Sequence, residues 1–423
     1  LAKQNQVDIS NNSWGTIDFF GDDFNSASYM ADYANIRYAV ETGREGHGTI
    51  FVFSAGNSRT SGDNVNHHNY QNARETVTVA SVAQNDIISS FSTPGAAILV
   101  AAYGENIFTT DRLGSDGYNK ASGGAGDYTS FGGTSAAAPE VSAIVALMLE
   151  ANPDLGYRDV QAILAHSTRH PETASWKVNA GDSHNLGGLY FNDDMGFGIV
   201  NAHSAVRLAE TWQATNTAHN EAFAGARLLD ISEVIPDGDQ EGGYIATFDI
   251  NSDIDVEHIE LGIDIRHDRL GDLQIEIISP NGTISTLLDR PSATEGRPFG
   301  LFGEYSGLPN HLMFDLSSVQ FYGEDGKGEW KVIVRDVRAE EVGKVYGLSL
   351  KVYGSSAQDN DQYIFTDEFA DQAELISLRD DKGIDWINTS AVTTDVDINL
   401  TTGELYIANR EATIESWVDI ENI

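Results

Sequence analysis

The sequence contains no cysteine, which excludes disulfide bonds and thiolate metal sites. It is also poor in basic residues, because 25 lysines and arginines stand against 64 aspartates and glutamates, for a formal net charge of −39. A field of that sign repels nucleic-acid phosphates and anionic lipid surfaces, so we expect neither as a partner. No apolar run approaches the roughly 20 residues that cross a bilayer, so the sequence predicts no membrane span.

The sequence pattern changes twice along the 423 residues, which predicts three structural units. Residues 1–215 alternate strand-like and helix-like segments, which is typical of an α/β domain with a mostly parallel sheet. Residues 225–354 hold short runs of period-2 alternation between turns, which is typical of an antiparallel, jelly-roll-like sandwich. Residues 355–423 begin with a polar linker and continue as a small, acidic, β-rich tail.

The start of the chain shows no secretory leader, because Leu1 is not followed by a charged and then apolar stretch. Residues 7–15 already read as a strand inside a fold. We therefore expect the α/β domain to be incomplete and the chain to be cut from a longer one.

A candidate nucleophile lies in residues 133–139, Gly-Thr-Ser-Ala-Ala-Ala-Pro, ahead of an apolar run to Ala151. Ser135 would occupy the first turn of a helix, near unsatisfied N–H groups and the positive end of the helix dipole. A serine in that setting can act as a nucleophile if a base is beside it. Taken alone, the pattern fits equally a serine that caps a buried core helix.

A candidate hydrogen-bond donor, Asn57, follows an apolar strand-like run over residues 50–54. An amide at the carboxyl end of a strand, where α/β sites form, can donate to a developing oxyanion. Taken alone, Gly56-Asn57 reads as an ordinary turn.

A third motif, Ser13-Trp14-Gly15, completes a set that resembles the subtilases, a family of serine endopeptidases, in motif order and spacing. The resemblance implies that Ser135 is the nucleophile and Asn57 an oxyanion donor in the hydrolysis of a protein or peptide substrate. It further implies that Ser13, Trp14 and Gly15 line the substrate cleft, although Trp14 also fits a buried core tryptophan.

A serine nucleophile needs a base, and His47-Gly48-Thr49 copies the string around the subtilase histidine. We reject His47, because in the family that histidine precedes the Ser-Trp-Gly motif and here it follows Trp14. The family's aspartate motif is absent too, so we expect this chain alone to be inactive and both partners to lie upstream. A catalytically dead binding or adhesion protein is the alternative. A lipase or esterase is disfavoured, because the Gly-x-Ser-x-Gly elbow is missing.

Residues 225–354 resemble the P domain that follows the protease domain in kexin and furin-like convertases. The matching strings lie at 269–273, 278–288, 326–332 and 347–354. The resemblance implies that the sandwich packs on the catalytic domain. On its fold alone, a sandwich that binds carbohydrate or protein stays open.

The kexin resemblance also implies a calcium ion near the specificity pocket, held by Asp18 and Asp63, with Thr93 where a third carboxylate is expected. His68 takes the place of the family's pocket acid, so cleavage after arginine is uncertain, although Asp22 and Asp23 can supply negative charge. A zinc site at the adjacent His67 and His68 lacks a third ligand at useful spacing.

The acidic tail resembles the segment that leads into calcium-binding repeats of secreted bacterial proteins, although the repeats themselves are missing. Together these resemblances imply a secreted, extracellular bacterial protease that depends on Ca²⁺.

Overall fold

The computed structural model describes residues 3–119, 126–291, 310–357, 360–371, 377–378, 383–399, 401–414 and 420–422. Buried apolar side chains form two clusters in the first unit, one in the second and one in the tail. The predicted fold class, an α/β domain followed by a β-sandwich, is confirmed.

A parallel sheet with strand order β1-β2-β3-β4 forms the centre of the first unit. Its strands are β1 (Ile9–Asn12), β2 (Ile50–Ser54), β3 (Thr76–Val82) and β4 (Val100–Tyr103). Every residue of β2 and β3 is buried, as expected for apolar strands covered on both faces. Because the strands are parallel, their carboxyl ends share one edge of the sheet, where polar residues that follow them can meet.

The helices of the first unit are α1 (Met30–Thr42), α2 (Asn69–Asn72), α3 (Thr134–Ala151), α4 (Tyr157–His166) and α5 (Ala202–Thr211). Of the described helices, α3 alone is long and apolar enough to cross a membrane by length and composition. Its Val141, Val145 and Met148 are fully buried in the cluster that also contains β2 and β3 residues. We therefore describe α3 as a core helix of the α/β domain.

Two short antiparallel pairs complete the first unit. They are β5 (Ile107–Thr110) with β6 (Tyr128–Phe131), and β7 (Lys177–Val178) with β8 (Tyr190–Phe191). The first pair leads directly into α3.

Two antiparallel sheets form the sandwich. One has the order β10-β17-β12-β15 with β9 also on β17, and the other has the order β11-β16-β13-β14. The strands are β9 (Ala222–Leu228), β10 (Glu233–Ile235), β11 (Tyr244–Ile250), β12 (Ile254–His267), β13 (Leu273–Ile278), β14 (Ile284–Asp289), β15 (His311–Ser318), β16 (Gly328–Asp336) and β17 (Gly343–Ser356). Alternate residues of β11 and β16 are buried, including Trp330, which is fully buried. The alternation of apolar and polar residues in the sequence thus places the apolar side chains on the face of each sheet that packs in the core.

The tail forms two small sheets, with orders β18-β20-β24 and β19-β23-β22-β21. Its strands are β18 (Gln362–Thr366), β19 (Ser377–Leu378), β20 (Asp385–Ala391), β21 (Asp397–Asn399), β22 (Glu404–Ile407), β23 (Arg410–Ile414) and β24 (Ile420–Asn422). Ile364 and Ala391 belong to the main core cluster of the α/β domain, so the tail packs on that domain.

The structure places the end of α5 at Thr211, the start of β9 at Ala222 and the end of β17 at Ser356. The domain boundaries drawn from the sequence, at residues 215, 225 and 354, stay predictions.

Candidate active site

Ser135 lies in the first turn of α3, after a glycine in a backbone conformation that other residues rarely adopt. Gly133 has φ 104° and ψ 167°, and α3 begins at the next residue, Thr134. The Ser135 hydroxyl donates to the carbonyl oxygen of Ser13 at 3.4 Å, and the Ser13 hydroxyl donates to the carbonyl oxygen of Ser135 at 3.0 Å. The structure therefore brings Ser135 and the Ser13 segment together.

Asn57 lies at the carboxyl end of β2 and is held by the residue that precedes Ser135. Its Oδ1 accepts from the Thr134 backbone N–H at 2.9 Å and from the Thr134 hydroxyl at 3.0 Å. The backbone N–H of Gly56 donates to the same Thr134 hydroxyl at 3.2 Å. With its oxygen engaged, the exposed Asn57 side chain keeps its two Nδ2 hydrogens as donors.

A close approach explains the glycine at 133. A Cβ on Gly133 would lie 3.3 Å from Nδ2 of Asn57. Without a side chain at this position, the amide donor and the start of α3 can lie side by side. A nucleophile at a helix N-terminus beside a fixed amide donor is a geometry suited to stabilising an oxyanion in acyl transfer.

No histidine of the described residues hydrogen-bonds Ser135. His47 precedes β2, whereas Asn57 follows it, so the two lie at opposite ends of a five-residue strand. At about 3.3 Å per residue, that strand separates them by roughly 17 Å. This topology supports the rejection of His47 as the base for Ser135.

Trp14 and Gly15 follow the end of β1, where Trp14 contacts two aromatic rings and Gly15 lies against a glutamine side chain. The Trp14 indole N–H donates to Oδ1 of Asn12 at 3.1 Å, and its ring meets the rings of Phe53 and Tyr70 edge-on at 5.4 and 5.0 Å. Trp14 is 45% exposed, so it is not a core tryptophan. A Cβ on Gly15 would lie 2.8 Å from Nε2 at the end of the Gln71 side chain, so a larger residue at this position would require Gln71 to move.

His68 is buried between two carboxylates. Its Nε2 lies 3.1 and 3.2 Å from the two oxygens of Asp63, and its Nδ1 lies 3.3 Å from Asp22 and 2.9 Å from the Thr16 hydroxyl. Burial by itself lowers the pKa of His68, but the hydrogen bonds to Asp22 and Asp63 outweigh burial and raise it to about 9. His68 is therefore an imidazolium at neutral pH, paired on both sides.

The carboxylate of Asp63 has two further neighbours. It accepts from the backbone N–H of Asn64 at 2.8 Å and lies 3.1 Å from Nδ1 of His67. Burial raises the pKa of Asp63, yet the hydrogen bonds from His67 and His68 hold it below its ordinary value. Burial lowers the pKa of His67, which favours the neutral ring.

The metal predictions find no matching geometry. Among the residues that the structure describes, no group of three or more His, Asp or Glu side chains is placed to hold a metal ion. Asp63 is already engaged by two imidazoles and Asp18 is exposed on a separate segment, so the pair as placed does not fit calcium. The negative charge expected from Asp22 is likewise directed at His68. Asp23 accepts from the backbone N–H of Asn25 instead.

Several residues of the site were missed by the sequence interpretation. Thr134 stands inside the Gly-Thr-Ser motif, so its role in orienting Asn57 could have been sought there. Gln71 has no local signal, because its partner Ser54 is 17 residues away in the chain. Asp22 was named from the sequence as a source of negative charge, but its contact with His68, 46 residues away, was not foreseen.

The α/β domain places a serine at a helix N-terminus beside a fixed amide at the end of a strand, and it is joined to an antiparallel sandwich. This arrangement is typical of a serine hydrolase. The comparisons agree with that class. The sequence profile of the Subtilase family matches residues 1–198, and that of the Proprotein convertase P-domain matches residues 256–352.

Curated relatives point the same way. The chain is 32% identical over 382 residues to proprotein convertase subtilisin/kexin type 6 of Rattus norvegicus, covering 84% of this chain and 36% of that protein. It is 28% identical over 362 residues to kexin of Saccharomyces cerevisiae, covering 82% of this chain and 40% of that protein. The chain thus spans well under half the length of these relatives.

A solved structure shares the fold. The serine protease of Aeromonas sobria, in complex with a chaperone, superposes with a TM-score of 0.71 at 23% identity, covering 83% of this chain and 71% of that chain. The chain carries a subtilase-family domain over residues 1–198 and a proprotein convertase P-domain over residues 256–352, and its curated relatives are kexin-like. We refer below to the sandwich of strands β9 to β17 as the P domain.

Proposed function

We propose that the protein is a serine endopeptidase in which this chain supplies the nucleophile and an oxyanion donor. The observation that carries the proposal is the contact of Thr134 with Asn57, because it fixes an amide donor beside Ser135. Ser135 Oγ would attack the substrate carbonyl carbon, and Nδ2 of Asn57 would donate to the oxygen as it becomes negative. The hydroxyl proton would pass to a base and from it to the leaving amine, and water would then release the acyl group.

The base and its orienting carboxylate are not among the groups that contact Ser135 in the described residues. We propose that they are the histidine and aspartate of the subtilase triad, supplied from outside this sequence. An extracellular location is part of the proposal, as is a protein or peptide substrate. The proposal invokes no calcium at Asp18 and Asp63, because those residues as placed do not fit the ion.

The residue at the specificity-pocket position is His68, and its charge is balanced by Asp22 and Asp63. Asp22 and Asp63 both face the His68 ring, and all three side chains are buried. We propose that the pocket lacks the free carboxylate that a preference for arginine requires.

The test is labelling with a fluorophosphonate, which reacts with activated serine hydroxyls. The whole protein is treated with the probe, and the modified residue is located by mass spectrometry. We expect modification at Ser135 in the wild type and none in Ser135→Ala. A folded protein that hydrolyses no peptide and takes no label would overturn the proposal and favour the alternative, a subtilase-fold binding protein.

A further inference from the structure

The segment that carries His68 is bound to the P domain through three asparagines. Asn66, Asn69 and Asn72 are 0%, 3% and 3% exposed, so each buried amide needs partners within the protein. Those partners are main-chain groups of β14 and β15. We call this set of hydrogen bonds the amide contact.

Asn66 uses both ends of its side-chain amide in this contact. Its Nδ2 donates to the carbonyl oxygens of Leu287 at 3.0 Å and Ser317 at 2.9 Å. Its Oδ1 accepts from the backbone N–H of Ser317 at 2.9 Å. Asn66 therefore joins one strand from each sheet of the P domain.

Asn69 and Asn72 extend the contact by one pleat of β15. Both donate to the carbonyl oxygen of Asp315, at 3.0 and 2.9 Å. The Ser317 hydroxyl donates in return to the carbonyl oxygen of Asn72 at 2.7 Å. In the described sheets β14 and β15 are edge strands, so these amides satisfy main-chain groups that no neighbouring strand pairs.

The amide contact continues into the candidate substrate pocket. Oδ1 of Asn69 accepts from the backbone N–H of Phe24 at 3.0 Å, and the backbone N–H of Tyr70 donates to Asp22 at 3.1 Å. Asp22 and His68 face each other, and Tyr70 supports the ring of Trp14. Asn69, which is bound to β15, thus also holds the segment of Asp22, and its neighbour Tyr70 contacts both Asp22 and Trp14.

We infer that Asn66, Asn69 and Asn72 are positioning residues through which strand β15 of the P domain sets the shape of the substrate pocket at His68 and Trp14. The inference rests on the proposed function for its kinetic consequence. Ser135 and Asn57 make none of the hydrogen bonds of the amide contact, so loss of the contact should change substrate selection more than the chemical step.

A second contact between the domains provides a matched control. The guanidinium of Arg158, 2% exposed at the start of α4, binds both carboxylate oxygens of Glu257 at 2.5 and 2.6 Å. Tyr157 donates from its backbone N–H to the carbonyl oxygen of His47, so this contact lies toward the opposite end of β2 from Asn57. Glu257→Gln weakens docking of the P domain without touching the pocket.

The test compares Asn66→Ala with Glu257→Gln in the whole protein, using peptides that differ at the residue before the scissile bond. For Asn66→Ala we expect KM to rise by about tenfold or more and the ranking of the peptides to change, with kcat altered less than about threefold. For Glu257→Gln we expect the wild-type ranking. An equal change of ranking in both variants, or in neither, would overturn the inference.

Hydrogen exchange of the whole protein decides the same question without a measurement of activity. We expect Asn66→Ala to speed amide exchange in residues 13–16 and 64–72, and Glu257→Gln to leave both segments protected. Unchanged exchange in a folded Asn66→Ala chain would overturn the inference. A wild type that hydrolyses no peptide would contradict the proposed function alone, because the exchange result would still stand.

Discussion

Asn57 owes its orientation to one neighbour, Thr134, which donates to the amide oxygen from both its backbone and its hydroxyl. An oxyanion donor is effective when it is already aimed before charge develops, because it then needs no reorganisation during the reaction. The two bonds from Thr134 remove the amide's freedom to turn over. The donor is thus arranged by the same residue that starts α3.

Replacement of Asn57 by alanine should lower kcat of the whole protein by about 10²–10³-fold, the loss known for one such donor in subtilisin itself. KM should change little, because the donor acts on charge that is absent from the bound substrate. The measurement is steady-state kinetics on a peptide substrate.

Asn57→Asp is the matched control, since aspartate keeps the acceptor for Thr134 but has no N–H to donate. We expect it to fold normally and to lose rate as well. Wild-type kcat in Asn57→Asp would refute the donor role.

Sequence patterns locate single residues of the site better than the partners of those residues. Ser135 and Asn57 each lie in a recognisable motif. The structure places Asn57 beside Thr134, the residue that precedes Ser135. The surroundings of His68 could not be inferred in full, because Asp63 is five residues away in the chain but Asp22 is 46 residues away and only the fold brings it to the ring. The charge of a buried histidine depends on those neighbours rather than on local sequence.

At the scale of elements, the start of α3 depends on the unusual backbone of Gly133. For any other residue, φ of 104° is strained, at a cost of about 1–3 kcal/mol, and a side chain would approach Asn57 as well. Gly133 therefore affects both the start of α3 and the placement of Asn57 in the candidate active site.

Gly133→Ala should lower the free energy of unfolding by about 1–3 kcal/mol and reduce fluorophosphonate labelling of Ser135. Chemical denaturation and the labelling rate measure the two effects. Gly132→Ala is the control, because the φ angle of Gly132 is outside the left-handed region and its Cβ would lie 3.1 Å from the Gly104 carbonyl oxygen and 4.0 Å from the Asn106 nitrogen, away from Asn57. Equal effects in both variants would contradict the assigned role of Gly133.

The elements themselves were largely predictable. The strand at residues 76–82, the helix at 157–166 and the tail hairpin around Gly403 all form, because apolar periodicity and turn residues specify them locally. The amide contact was not foreseen, because asparagines in a polar stretch read as a loop. Their partners are main-chain groups, which leave no mark in the sequence.

At the scale of the molecule, the tail binds the α/β domain beside a pair of buried histidines. Nδ1 of His166 lies 3.2 Å from Nδ1 of His184, and Asn185 next to it exchanges hydrogen bonds with Thr366 of β18. Burial lowers the pKa of His166 to about 4 and that of His184 well below its ordinary value. The pair is therefore neutral when the tail is docked.

Acid should release the tail. Because both pKa values lie below the ordinary value of about 6.5, the pair stabilises docking fully above pH 6.5, and this stabilisation is lost as the pH falls toward 4. Glu368 of the tail lies 3.2 Å from Nδ1 of His170 in the α/β domain, which is a further contact between the two. We expect residues 362–366 to become accessible to proteolysis at about pH 4.5 but not at about pH 7.5.

The control for the acid effect is His184→Gln, which keeps a polar side chain but cannot take up a proton. We expect this variant to show a smaller difference in tail accessibility between the two pH values than the wild type, because only His166 of the pair can still take up a proton. An acid response identical to the wild type would assign the effect to other groups.

The amide contact has a consequence for how the two domains can diverge. Asn66, Asn69 and Asn72 bind carbonyl and N–H groups that every amino acid except proline offers in full. The outward side chains of β15, such as the 60%-exposed Met313, can therefore be replaced during evolution while the docking of the two domains is preserved. Sandwiches from distant relatives should be interchangeable on this catalytic domain as long as the strand keeps its path, and aligned relatives should vary more on β15 than at these three asparagines.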